Sequence, residues 1–390
     1  MTKSDRRVRA SDPAARVAPA RRRSLRLLLG IALLPACGEA TEPTAATGAL
    51  VHGSAADGIV YVHPGEGNTD IWRARLSDGA TRPLTQTPES DERWPFWSSS
   101  ASRLVFERLR AAKLGGAQLV LWDPEGGRES PLPVPRARRQ TWAAWAPSGA
   151  RLIFAFRSVR GVTPAEGVGV VDVTSGERVL LAGTGPGSKP YFRPELSPGG
   201  DRAVAQRSDL ESDRSELWVL EAGAAPRRLL GRDDTTTSKG RFTRDGTWIV
   251  FMRQETPDAP GDVMLIRPDG SELRALASTP ESDDHSPRPC PVRDEIAFIS
   301  DRDGKEDVFV TDLAGTALRN LTQAIEGSFR VPRWSPDGER LVLLVRPTGM
   351  RPSADREVTR QRYEVAVIDR QGRLLLRTPG YSADFMPPWE

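Results

Sequence analysis

The chain of 390 residues is long enough for one large or two ordinary domains. With 38% hydrophobic residues, 35 Gly and 33 Pro, it reads as a turn-rich β protein rather than a helical one. Residues 1–36 hold nine Lys or Arg against two Asp, so the overall net charge of +3 conceals a remainder of 46 bases and 50 acids, a net −4. That remainder offers no basic patch for a nucleic-acid partner, and none is expected.

The first element is the N-terminal run "RRRSLRLLLGIALLPACG". Its apolar core, Leu27 to Leu34, would span about 12 Å as a helix against a hydrocarbon layer of ~30 Å. It is too short to cross a membrane and reads as a secretory signal. Leu34-Pro35-Ala36-Cys37 resembles the bacterial lipobox. The resemblance implies a lipoprotein signal peptide over 1–36 and lipidation of Cys37; the alternative is an ordinary signal peptide followed by a chance cysteine. Gly38 after the cysteine, where no Asp stands, implies the outer membrane, on its periplasmic side. Arg22-Arg23-Ser24-Leu25 resembles a twin-arginine signal, so the export route stays open. Residues 37–51, with "GEATEPTAATG", are small and polar and read as a flexible tether. The other cysteine is Cys290; with Cys37 lipidated it has no partner and reads as a small buried hydrophobe.

From residue 52 onward the chain repeats. "FWSSSASRLVF" at Trp97 aligns with "AWAPSGARLIF" at Trp145, "ELSPGGDRAVA" at Leu196 and "RFTRDGTWIVF" at Phe242. "RPCPVRDEIAF" at Pro289 and "RWSPDGERLVL" at Trp334 continue the series, at intervals of 48, 51, 46, 47 and 45 residues. In each unit an apolar strand follows the anchor, as at Leu104–Phe106 or Leu341–Val345. A second β-rich triplet comes after an acidic residue (Asp70-Ile71-Trp72, Asp307-Val308-Phe309), then a turn such as Asp78-Gly79, then a closing strand ending near Leu84-Thr85 or Leu321-Thr322. Four short strands per unit predict one propeller blade. Seven copies predict seven blades, with six as the alternative. "DFMPPWE" makes Trp389 the expected seventh anchor, without a strand after it, while "GIVYVH" at Gly58–His63 supplies a strand without an anchor. The two are expected to pair and close the ring, which removes the last exposed sheet edges.

The unit, roughly P-x-W-S-P-D-G followed by an apolar strand, D-[IV]-[WFY] and L-T, resembles the TolB-type propeller repeat over residues 52–390. Pro95, Pro194, Pro287, Pro332 and Pro387 stand two residues before their anchors. The resemblance implies an all-β propeller whose anchor strands are innermost. The α/β domain that precedes the propeller of TolB is not matched, which suggests a stand-alone propeller lipoprotein. Similar repeats occur in prolyl-oligopeptidase-type peptidases, but their G-x-S-x-G elbow is not found in this sequence.

Motifs that carry chemistry are few. "GTGPGSKP" at Gly183–Pro190 has Ser188 where a phosphate loop needs Gly, and "DRDGKED" at Asp301–Asp307 has Lys305 where a calcium loop needs an oxygen ligand. His52, His63 and His285 do not reproduce a metal-site pattern. No catalytic residue, metal site or cofactor is assigned. The resemblance instead places the residues three to five positions before each anchor at the channel mouth. There Arg93, Trp94, Trp142, Tyr191, Arg193, Lys239, His285 and Arg330, with Phe192, Phe329 and Phe385 beside them, form the expected binding set. Two functions follow as expectations. One is a non-enzymatic envelope propeller, lipid-anchored, that binds a protein or peptide; the other binds or cleaves an acidic saccharide.

Overall fold

The computed structural model describes residues 57–387 apart from breaks at 66–67, 99, 111–115, 133–136, 159–164, 186–188, 209–213, 231–234, 257 and 351–361. The signal peptide, the tether with Cys37, and the positions of His52 and Trp389 lie outside the described residues.

The strands form seven four-stranded antiparallel sheets. Strands β1 (Gly58–Pro64), β2 (Thr69–Arg75) and β3 (Thr81–Pro83) belong to one. Six more follow in chain order: β4 to β7 within residues 90–131, β8 to β11 within 137–184, β12 to β15 within 191–230, β16 to β19 within 236–277, β20 to β23 within 285–320 and β24 to β27 within 328–379. The last strand, β28 (Tyr381–Met386), pairs with β1 and completes the first sheet. The protein is an all-β propeller of seven blades, closed by its first and last strands.

The closure differs in register from the sequence expectation. Every anchor sits opposite the first apolar residue of the next strand: Trp97 opposite Leu104, Trp145 opposite Leu152, Trp334 opposite Leu341. In the closing blade that place is held by Phe385, opposite Ile59. The seventh anchor is therefore Phe385 and not Trp389, and Pro387 is not the counterpart of the other prolines. The reason is that β28 must meet β1 along its length. Anchoring four residues later would set Ile59 three positions past the strand end at Met386.

Two of the sequence marks have a direct local cause. In Ser335-Pro336-Asp337-Gly338, the Gly338 N–H donates to the Ser335 carbonyl at 2.9 Å and Glu339 N–H to Asp337 Oδ1 at 3.0 Å. Gly338 has φ 69°, and a Cβ there would lie 2.8 Å from Cys290 Sγ, so both conformation and space demand glycine. The Leu-Thr mark ends a blade because the threonine hydroxyl caps an N–H of the third strand counted from the channel. Thr85 Oγ1 accepts from Ile71 at 2.8 Å and Thr322 Oγ1 from Val308 at 2.9 Å, and Thr322 donates onward to Asp307 at 2.6 Å.

The core lies between blades. Phe329 and Trp334 of β24, for example, pack on Ala297, Ile299, Val308 and Val310 of the preceding sheet. Burying such side chains contributes about 2–3 kcal/mol each. The indoles also stitch: Trp145 Nε1 donates to the Phe96 carbonyl at 2.9 Å and Trp334 Nε1 to the Arg288 carbonyl at 3.1 Å.

Candidate functional site

The innermost strands surround a central channel that opens into a cavity of about 580 Å³. They are β4 (Ser90–Ser98), β8 (Ala137–Trp145), β12 (Tyr191–Leu196), β16 (Thr236–Phe242), β20 (His285–Pro289), β24 (Ser328–Trp334) and β28. All seven break register with their neighbour just before the anchor, where a β-bulge sets two residues against one.

At each bulge the residue three before the anchor has positive φ. These are Trp94 (54°), Trp142 (57°), Arg193 (46°), Lys239 (58°), Ser286 (55°), Val331 (51°) and Ser382 (50°). None is glycine, and holding an L-residue there costs roughly 1–2 kcal/mol. The next residue is pressed between blades; at Gly240 a Cβ would lie 3.0 Å from Leu217 and Val204. The residue after that, directly before the anchor, returns to the channel. Two storeys result: the bulge residues above, and Phe96, Ala144, Glu195, Arg241, Arg288, Arg333 and Asp384 below. Two residues of strand separate them, about 6–7 Å.

The bulge also decides which expected residues reach the channel. Trp94, Trp142, Arg193, Lys239, His285 and Arg330 line the cavity. Plain alternation would put the residue five before the anchor on the same face, but the extra residue at the bulge reverses the phase. Tyr191, at that position, is 5% exposed and stands edge-on to Trp218 with centroids 6.5 Å apart, under the Arg207 guanidinium. Phe329 is likewise fully buried between blades. Tyr191 is thus a packing residue rather than a channel residue. Arg93 pairs with Asp91 at 3.5 Å and lies outside the cavity lining.

Above, the Trp94 and Trp142 rings meet at 5.8 Å between centroids, tilted by 36°, and Arg193 lies over Trp142 at 4.9 Å. The Trp142 N–H donates to Glu107 Oε1 of the preceding blade at 2.7 Å. Burial pushes the Glu107 carboxyl up to about 7, against the pull of that N–H and of Arg139 and Arg93. Lys239 donates to Ser286 Oγ at 3.0 Å; burial and the nearby Arg193 draw its ammonium down to about 8. At the rim Arg330 is committed to Glu306 at 2.8 Å, which also receives Arg346 at 3.2 Å and His285 at 3.6 Å. Burial raises Glu306, and these three partners outweigh it to hold the carboxyl below its usual value.

Below, Arg241 pairs with Glu195, and Arg333 lies over the Phe96 ring at 4.2 Å. Asp384 accepts the N–H groups of Trp97 and Phe385, each at 3.0 Å. These charged residues, just before their anchors, were not singled out in the sequence. Their signal was present: five of the seven residues preceding the anchors are charged.

Comparison with known proteins supplies the fold and no more. No family model matches the chain, and no curated protein matches it. Among solved structures it is similar to a prolyl endopeptidase at 12% identity and a TM-score of 0.62, over 85% of this chain and 49% of the other. The chain thus spans about half the length of that peptidase. It is also similar to an oligogalacturonate lyase in complex with manganese (13% identity, TM-score 0.58, 74% of this chain and 83% of the lyase). TolB from Acinetobacter baumannii is similar at 13% identity and a TM-score of 0.50, over 85% of this chain and 83% of that one. The likeness is one of fold.

Among the described residues no group of three or more His, Cys, Asp or Glu could hold a metal. His63 stacks on Trp72 at 4.4 Å in the closing blade, apart from His285 at the rim. Cys290 is fully buried, and burial raises its thiol, which leaves it a packing group.

Proposed function

We propose that this chain is a non-enzymatic binding propeller of the bacterial cell envelope that takes a protein or peptide segment at its channel mouth. In this reading it is held by lipid at Cys37 on the periplasmic side, at the outer membrane. The observation that carries it is the convergence of Trp94, Trp142, Arg193 and Lys239 from four successive blades on one cavity. Aromatic and arginine groups in a concave, partly desolvated setting are the groups that anchor protein and peptide partners. Seven bulges at positive φ hold this face open at a cost in stability, which fits a surface kept for recognition. Charge complementarity favours an acidic segment.

The test is crosslinked capture from native membranes, with the full chain beside a Trp94→Ala/Trp142→Ala variant. A discrete protein captured by the first and lost from the second supports the reading; capture unchanged in the variant contradicts it. The anchor is tested separately, since Cys37→Ser is expected to move the protein from the membrane to the soluble fraction.

A second reading, an acidic saccharide as ligand or substrate, is favoured by the same tilted indole pair above guanidinium groups. Incubation with polyuronides and manganese, followed by ultraviolet absorbance of unsaturated products, distinguishes it.

A further inference from the structure

The cavity holds six Lys or Arg side chains, Arg193, Lys239, Arg241, Arg288, Arg330 and Arg333, against two carboxylates, Glu195 and Asp384; among the described residues only Arg330 of the six is paired with a carboxylate outside the lining, Glu306. Both carboxylates are engaged, Glu195 by Arg241 and Asp384 by two backbone N–H groups. Among the described residues neither the Arg288 nor the Arg333 guanidinium makes a hydrogen bond or ion pair; Arg333 has the face of Phe96 and, at longer range, the charge of Asp384. Arg288 stands between Arg241 and Arg333, one from each adjacent blade, and is half-buried. Burial, with the charges of those two neighbours next, holds it well below the usual arginine range against the pull of Glu195 and Asp384. A protein gains no stability from cations placed side by side in a cleft. A concave site with low-dielectric walls does, however, focus their potential on whatever anion enters.

We propose that the floor of the channel is a binding site for a multivalent oxoanion, with Arg288 and Arg333 as the groups that grip it and Lys239 and Arg193 closing over it. Carboxylate and phosphate share the planar or forked oxygen pair that a guanidinium binds bidentately, so the shared chemistry is an anion with two or more acidic groups. Arg288 and Lys239 lie in different storeys, one strand repeat apart. An anion spanning that distance engages both storeys at once, which a single chloride does not. The site goes beyond the capture of a protein at the mouth and stands without it: loss of a captured partner on changing the two tryptophans does not require the floor to bind anions.

The test is titration calorimetry on the full chain with citrate and, separately, inorganic pyrophosphate, at low and at physiological salt. Binding of either probe is expected, weakened by salt. Citrate alone identifies carboxylate and pyrophosphate alone phosphate. Arg288→Gln and Arg333→Gln are each expected to weaken binding at least tenfold, Arg288→Lys to weaken it less, and Arg267→Gln, on the exposed face over Trp248, to leave it unchanged. Thermal melting adds a readout that a structural arginine would not give. Without ligand, Arg288→Gln is expected to raise Tm by about 2 °C, because it relieves repulsion instead of breaking a pair. Failure of both probes to bind, or affinity unchanged in both glutamine variants, overturns the proposal.

Discussion

Ile59 in the first strand lies opposite Phe385 in the last, and this pair closes the ring. Phe385 is 2% exposed and packs with Ile59, Tyr61, Ala74 and Val342, so it joins the closing blade to the one before it. Phe385→Ala is expected to cost about 3–5 kcal/mol. Because an open ring exposes two sheet edges, it should also make the unfolding transition less cooperative. Denaturant melts followed by two probes check this; a loss under 1 kcal/mol with coincident transitions would contradict the register.

The bulges make a prediction of the opposite sign. Val331 combines a β-branched side chain with φ 51° and is 37% exposed, so it loses little burial when removed. Val331→Gly is expected to stabilise the protein by about 0.5–1 kcal/mol in spite of the entropy glycine adds to the unfolded chain. Val331→Ala, which keeps the Cβ, should not. Urea unfolding of the two variants decides it.

Glu107 predicts a pH dependence. Its folded carboxyl titrates at about 7, above the ordinary value near 4.5, so between those values the native state binds the extra proton. Stability therefore falls as pH rises from about 4.5 to 7, on the order of 3 kcal/mol at most, and is level beyond. Glu107→Gln keeps an acceptor for the Trp142 N–H and removes the proton, so its stability should be flat across that window. Equal slopes for the two proteins in denaturant melts at stepped pH would rule out this origin.

Lys239 predicts a pH dependence of binding, in a higher window. Its ammonium, brought down to about 8, loses its charge above that pH. Affinity for citrate is expected to fall several-fold between pH 7 and pH 9. Lys239→Arg should abolish that fall, and calorimetry at the two pH values reads it directly.

Much of the fold was legible because each mark has a local physical cause. Gly338 answers to a positive φ, Thr322 to an open N–H, and Trp334 to a carbonyl on the neighbouring blade. The misplaced seventh anchor shows what such marks omit. "DFMPPWE" matches the first repeat in its Pro and Trp, but strand pairing with Ile59, a contact across the whole sequence, selects Phe385. The channel was half legible for a related reason. The resemblance points to all the residues three to five before each anchor; Trp94 and Trp142 among them line the cavity, but one inserted residue at the bulge turns Tyr191 and Phe329 away. The lower ring went unread because Arg288 and Arg333, beside their anchors, look like solvated flanks until the ring closes around them.

In the proposed function the channel mouth, and not the rim of the blades, receives the partner. A photo-crosslinking residue at position 94, in the cavity, compared with one at position 180, where Leu180 is 50% exposed on an outer strand, tests it in native membranes. A discrete protein adduct is expected from position 94 and none from position 180. Adducts from position 180 alone, or equally from both, would contradict it.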